Sequence, residues 1–159
     1  MNDIGHIMSL LDWNRNMSDQ DLGVKLASKI NDIRAFLQPG YPYGKRVWEG
    51  CARILADRSD EELAPYLCEL LEWLEDLNWP GCFVIINRLI HFNADYLVDC
   101  FLNAINVAQK RPDDDKEWYN ILSVLIENKK LASLLDDNVF RDLKNKYNEY
   151  WSCRGRNNI

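Results

Sequence analysis

The chain has 159 residues and a formal charge of −6; 47% of it is hydrophobic, with six tryptophans but only five prolines and seven glycines. A chain of this size can bury roughly 70% of its unfolded surface around one core, and so little Pro and Gly excludes a linker-rich or disordered protein. The charge is uneven: residues 57–99 hold ten acids against two bases and the remainder fifteen against seventeen, a balance that disfavours nucleic acid or an anionic membrane as partner and suits a basic one.

The N-terminus lacks the basic n-region and apolar run of a secretory leader, and the longest apolar run, 82–86, is too short to span a bilayer. The five cysteines, Cys51, Cys68, Cys82, Cys100 and Cys153, are odd in number and unpaired in spacing. They argue against a disulfide framework and for a reducing, cytoplasmic setting.

In chain order, Ile4, Ile7, Met8 and Leu11 predict a helix over 3–13, ended by the polar stretch 14–17. Ser18, three residues before Asp21, reads as a start signal for a second helix over 19–37, with Leu22, Leu26, Ile30, Ile33 and Leu37 on its apolar face. The Pro-Gly-Tyr-Pro-Tyr-Gly stretch from Pro39 to Gly44 is the strongest loop signal in the chain. A helix over 45–57 then carries Val47, Trp48, Cys51, Ile54 and Leu55.

Residues 59–91 join an acidic amphipathic segment, an Asn-Trp-Pro-Gly corner and a nearly all-apolar helix. Leu63, Leu67, Leu70, Leu71, Leu74 and Leu77 fall in an arc of about 120°, and Glu61, Glu62, Glu69, Glu72, Glu75 and Asp76 in an opposite arc of about 140°. No Lys or Arg occurs between Asp60 and Leu77. Ser59 and Glu62 form a capping-box pattern, and Pro65 requires a short turn at 60–63 before the regular helix. Asn78 is the expected cap of the next helix, and Pro80 is harmless in its first turn. With Phe83, Val84, Ile85, Ile86, Leu89 and Ile90 pointing several ways, that helix is expected to be the most buried. Asn93 caps a helix over 93–109, and Lys110 and Arg111 close it at its negative end. Asp113 to Asp115 precede the Trp118 helix, which Lys129 and Lys130 end. One or two closing helices and a tail complete the chain, and no alternating strand pattern occurs.

The string Trp-x-Gly-Cys-x-x-Ile occurs at Trp48 and again at Trp79, with a weaker copy at Trp118, and each copy follows an amphipathic helix. These spacings suit two-helix solenoid repeats, in which Trp covers the preceding repeat and Gly admits a neighbouring backbone. The expectation is an all-α fold of helical hairpins stacked as a short HEAT-like α-solenoid. A single domain over 1–159 would comprise N-terminal helices (1–38), a repeat core (45–128), closing helices (131–151) and a tail (152–159). Trp48, Asn78, Trp79, Pro80, Gly81 and Trp118 would form its structural corners.

The strings Glu-Leu-Leu-Glu-Trp-Leu-Glu-Asp-Leu-Asn-Trp-Pro-Gly (69–81) and Asp-Asp-Asp-Lys-Glu-Trp (113–118) resemble a bacterial family of unknown function. That family has a Trp-Leu-x-Asp-x-Asn-Trp-Pro signature and a later Asp-x-x-Trp helix. The resemblance covers about 60–126 and implies HEAT-like helical repeats; it brings no activity and no catalytic residue.

Chemistry-bearing patterns are sparse. His6 and His91 are far apart, no C-x-x-C exists, and there is no phosphate-binding loop or nucleophile elbow. His91 reads as a packing or capping residue, and Cys51, Cys82 and Cys100 as inert thiols among apolar neighbours, with Cys68 toward the glutamates. Lys144, Lys146, Arg154 and Arg156 are too few for a nucleic-acid footprint. Trp73 lies at the border of the leucine and acid faces; it either packs under the Trp79 corner or stands beside the acids as an anchor for Lys or Arg. The expectation is a non-catalytic protein without cofactor or metal that binds a basic partner; in its sharper form it is an immunity- or antitoxin-like protein masking a toxin. The candidate surface is Glu61, Glu62, Glu69, Glu72, Trp73, Glu75 and Asp76. The alternative is a small enzyme or ligand-binding protein with a pocket near Pro39 to Gly44, lined by Tyr41, Tyr43 and Arg46.

Overall fold

The computed structural model describes residues 3–40 and 42–152, and among these the regular structure is entirely helical. The first helix, α1 (Ile4–Leu11), is capped by Asp3, whose carboxylate accepts the Gly5 N–H; it turns Ile7, Met8, Leu10 and Leu11 inward. The second, α2 (Met17–Ala27), is capped by Asn16, which accepts from the Asp19 N–H, so it starts ahead of Ser18. Gly23 brings α2 onto α1, since a Cβ there would lie 3.0 Å from a Leu11 methyl.

The expected helix over 19–37 is not continuous. α2 ends at Ala27, and after a break the chain makes only a 3₁₀ turn, Ile33–Phe36, capped by Asp32. Arg58 supplies the physical reason: its Nη2 donates to the carbonyls of both Ala27 and Ile30, at 2.7 and 2.9 Å. A guanidinium satisfying the freed carbonyls holds the chain out of the helical path. Leu22, expected to face the core, stands 45% exposed.

A 3₁₀ turn, Lys45–Val47, leads into α3 (Trp48–Ala56), which lies against α1 where Gly50 faces Leu11. The acidic segment divides as Pro65 requires. It runs through α4 (Asp60–Leu63), a 3₁₀ turn Ala64–Tyr66 containing the proline, α5 (Leu67–Glu72) and a final turn Trp73–Glu75. The Ser59–Glu62 capping box is complete, each side chain accepting the other's backbone N–H. All six leucines of the stripe are buried.

α6 (Cys82–Ile90), α7 (Ala94–Gln109), α8 (Glu117–Leu122), α9 (Lys129–Leu134) and α10 (Asp137–Tyr150) follow, with a 3₁₀ stretch, Ser123–Glu127, continuing α8. Asn93 caps α7 through the Asp95 N–H. α6 is not the most buried helix, because Phe83 and Asn87 face outward. That place belongs to α8 and its continuation, where every residue from Ile121 to Ile126 is buried. Lys129 and Lys130 open α9 rather than closing the Trp118 segment. The switch is made by Asn128, which accepts from the Leu131 N–H and donates to the Leu89 and Phe92 carbonyls. One buried amide thus starts α9 and closes α6. Buried side chains from Ile7 to Trp151 form one continuous cluster.

Candidate functional site

The corner between α5 and α6 is built on Gly81. Its φ of 84° lies in the left-handed region, and a Cβ there would sit 2.6 Å from Ala52 Cβ and 3.1 Å from the Trp48 carbonyl oxygen. The α6 start therefore rests directly on α3. Asn78 does not cap α6: the residue at that position is Gly81, and Asn78 instead donates its backbone N–H to Asp76 Oδ1, two residues back. The Trp48 ring meets those of Trp79 and Trp73 edge-on, at 5.6 and 6.3 Å between centroids. Trp73 Nε1 donates to the Pro80 carbonyl at 3.0 Å, and Trp118 Nε1 to the Leu71 carbonyl at 2.9 Å.

Trp73 is 0% exposed. This removes it from the candidate partner surface: the packing alternative holds, because the ring fills the space above Gly81 and its N–H is satisfied by the corner itself.

Arginine partners, one local and two from later elements, thin the acid face. Glu62 pairs with Arg58 at 3.0 Å, Asp60 with Arg88, and Glu75 with Arg111 at 2.9 Å. Arg111 also lies over the Trp118 ring, 4.6 Å from its centroid, so Glu75 belongs to a packed junction. Asp76 is half-buried and holds the Asn78 N–H. The bases missing locally from residues 60–77 come instead from Arg58 just before, and from Arg88 and Arg111 on later elements. Among the described residues, Glu61, Glu69 and Glu72 stay exposed without an ion pair.

α7, packed against α5, extends that surface. Asp99 and Glu69 both act electrostatically on Cys100, so they face one locality from two helices. Tyr96, 45% exposed, lies one turn before Cys100 on the same side of α7. With Trp73 packed inside the corner, the exposed aromatic on this side of α7 is Tyr96. Asp99 escapes sequence reading because only the packing of α7 on α5 brings it into the locality of Glu69. Cys68 and Cys100 also meet here, with 3.0 Å between sulfurs, although their sequence spacing predicts no pair.

Elsewhere the side chains are committed to structure. Burial pushes the Cys51 and Cys82 thiols up to about 12, well away from reactive thiolates. His91 donates Nδ1–H to the Asn87 carbonyl. Among the described residues no group of three or more His, Cys, Asp or Glu is placed to hold a metal ion. Of the alternative loop site, Tyr43 packs on the core and Arg46 pairs with Asp12 at 3.5 Å, while Tyr41 lies outside the described residues. The same holds for the tail from 153 onward, with Arg154 and Arg156. A shallow cavity of about 540 Å³ between α3 and α6 is lined by Ala56, Phe83, Val84, Asn87, Arg88 and His91. Its one cation, Arg88, is already held by Asp60 and the Arg58 carbonyl. Among the described residues no helix is long and apolar enough to cross a membrane.

This helical body with its tryptophan corner carries the sequence of a recognised domain. The chain belongs to the DUF5071 family, a domain of unknown function, whose family model matches residues 48–147. That span begins at Trp48, takes in the corner and the acid surface, and ends in α10. No significant match occurs among curated proteins or solved structures.

Proposed function

We propose that this protein is a non-catalytic, protein-binding member of its family, built as a short HEAT-like stack of helical hairpins. Its acid surface on α5 and the adjoining side of α7 covers a basic protein partner, in the manner of an immunity protein masking a toxin. The observation that carries the reading is the set of exposed carboxylates without an ion pair, Glu61, Glu69, Glu72 and Asp99, with Tyr96 exposed on the helix that carries Asp99. Three other acids of the same segment, Asp60, Glu62 and Glu75, are paired with arginines, so the residual negative charge is concentrated where a partner could reach it. Carboxylates around an aromatic suit a Lys- or Arg-bearing contact, with charge steering the encounter and the ring supplying the anchor. The repeated Trp-x-Gly-Cys corner supports the stacked arrangement, because Gly81 and Gly50 are both points where one helix rests on another. Cytoplasmic location belongs to the same proposal and rests on the odd, unframed cysteines.

The test is parallel affinity capture from extract of the source cell, with the native chain and the Glu69→Lys, Glu72→Lys, Asp99→Lys chain as baits. A basic protein retained at least about tenfold more by the native chain supports the proposal, that ratio corresponding to about 1.4 kcal/mol. Equal retention by both baits, or capture of acidic proteins only, contradicts it.

A further inference from the structure

The two cysteines that meet between α5 and α7 are accessible as well as close. Cys68 is exposed, Cys100 is half-buried, and their sulfurs lie 3.0 Å apart in a thiol–thiol contact, 32 positions apart in the chain. Formation of a disulfide needs the sulfurs to approach to about 2.05 Å, a movement of about one ångström between side chains that already face one another. Cys51 and Cys82 differ: both are buried in the core.

We infer that Cys68 and Cys100 form a dithiol site that a small-molecule disulfide oxidises to a reversible bond joining α5 to α7. This inference stands on the thiol geometry and does not depend on the partner-binding proposal. The exposed Cys68 thiolate attacks one sulfur of the small disulfide, forming a mixed disulfide and releasing one small thiolate. Cys100, having lost its proton to solvent, then attacks the Cys68 sulfur; the protein S–S bond forms, the mixed bond breaks and the second small thiolate leaves. The two protein thiols give up two protons and two electrons, and the oxidant takes up both electrons in becoming two thiols. In the reduced pair, burial, the Cys68 contact and the charges of Asp99 and Glu69 hold the Cys100 thiol up to about 11, so the exposed Cys68 is the sulfur that attacks first. The bond fastens together the two helices that carry Glu69, Glu72, Tyr96 and Asp99, so oxidation stiffens that surface.

The experiment treats the native full-length chain with oxidised glutathione, quenches free thiols with iodoacetamide and reads intact mass, peptide map and thermal unfolding. The expected product has lost two hydrogens, maps to a Cys68–Cys100 link, reverts with dithiothreitol and melts about 5–10 °C higher than the reduced chain, from closure of an unfolded-state loop. Cys68→Ser and Cys100→Ser chains, checked for unchanged helicity, are expected to form no internal bond and to stop at a glutathione adduct on the remaining thiol. A native chain that accumulates glutathione adducts without the internal link, that links other cysteines instead, or that melts lower once oxidised would overturn the inference.

Discussion

Among the described residues, Gly81 is the one glycine with a positive φ. It combines a left-handed φ with contact on Ala52 and on the Trp48 carbonyl, so any side chain meets both backbone strain and a filled space. Gly81→Ala is expected to cost about 2–4 kcal/mol in urea denaturation. Adding Ala52→Gly should restore only the steric part, leaving the cost of the left-handed backbone. A near-neutral Gly81→Ala change would show that α6 can rise off α3, contrary to this account. The spacing of the Trp-x-Gly-Cys strings made a close approach at this glycine readable in advance. The same residues did not reveal that Asn78 would be passed over as cap, because the carboxylate of Asp76 takes its N–H into the preceding turn.

At the scale of elements, several local signals are found where the sequence puts them, while the Ser18 and Asn78 start signals yield to Asn16 and Gly81. The Ser59–Glu62 box, the Asn93 cap, the leucine stripe and the proline break need only neighbouring residues, and all were legible. The interruption of the expected 19–37 helix depends on Arg58, 28 residues beyond Ile30, and no periodicity within the segment reports it. Arg58→Ala should cost about 2–3 kcal/mol, since two carbonyls lose a charged donor. It should also speed amide exchange across residues 28–36; unchanged exchange there would mean that the break is set by the segment itself.

The pH response of the α4 start follows from Glu62. Its carboxyl is held below the ordinary 4.5 first by the Ser59 backbone N–H and then by Arg58. A depressed folded value means stability that is fully present above about pH 4.5 and lost as pH falls through the folded value. Because Glu62 lies at the surface, the effect is modest. Glu62→Gln should therefore flatten the melting-temperature curve below about pH 4.5; an acid limb identical to that of the native chain would contradict this role.

For the whole molecule, the uneven charge was plain in the sequence, but its final distribution was not. Arginines from before and after the acidic segment neutralise Asp60, Glu62 and Glu75, and α7 adds Asp99 and Tyr96 to what remains. The acid face thus becomes a set of exposed carboxylates on α4, α5 and α7, with Trp73 withdrawn into the corner. All-helical structure could be read from the pattern throughout. The meeting of Cys68 and Cys100 could not, since it exists only through the packing of α5 on α7.

The proposed electrostatic capture of a basic partner has a kinetic consequence, because steering by exposed charge raises the association rate and is screened by salt. The most direct test measures that rate for the partner retained on the native bait, across ionic strengths from about 0.05 to 0.5 M. The account predicts a fall of about tenfold or more for the native chain, and a slower, much flatter profile for the Glu69→Lys, Glu72→Lys, Asp99→Lys chain. Two profiles of equal slope and equal rate would contradict it, placing the binding surface elsewhere on the molecule.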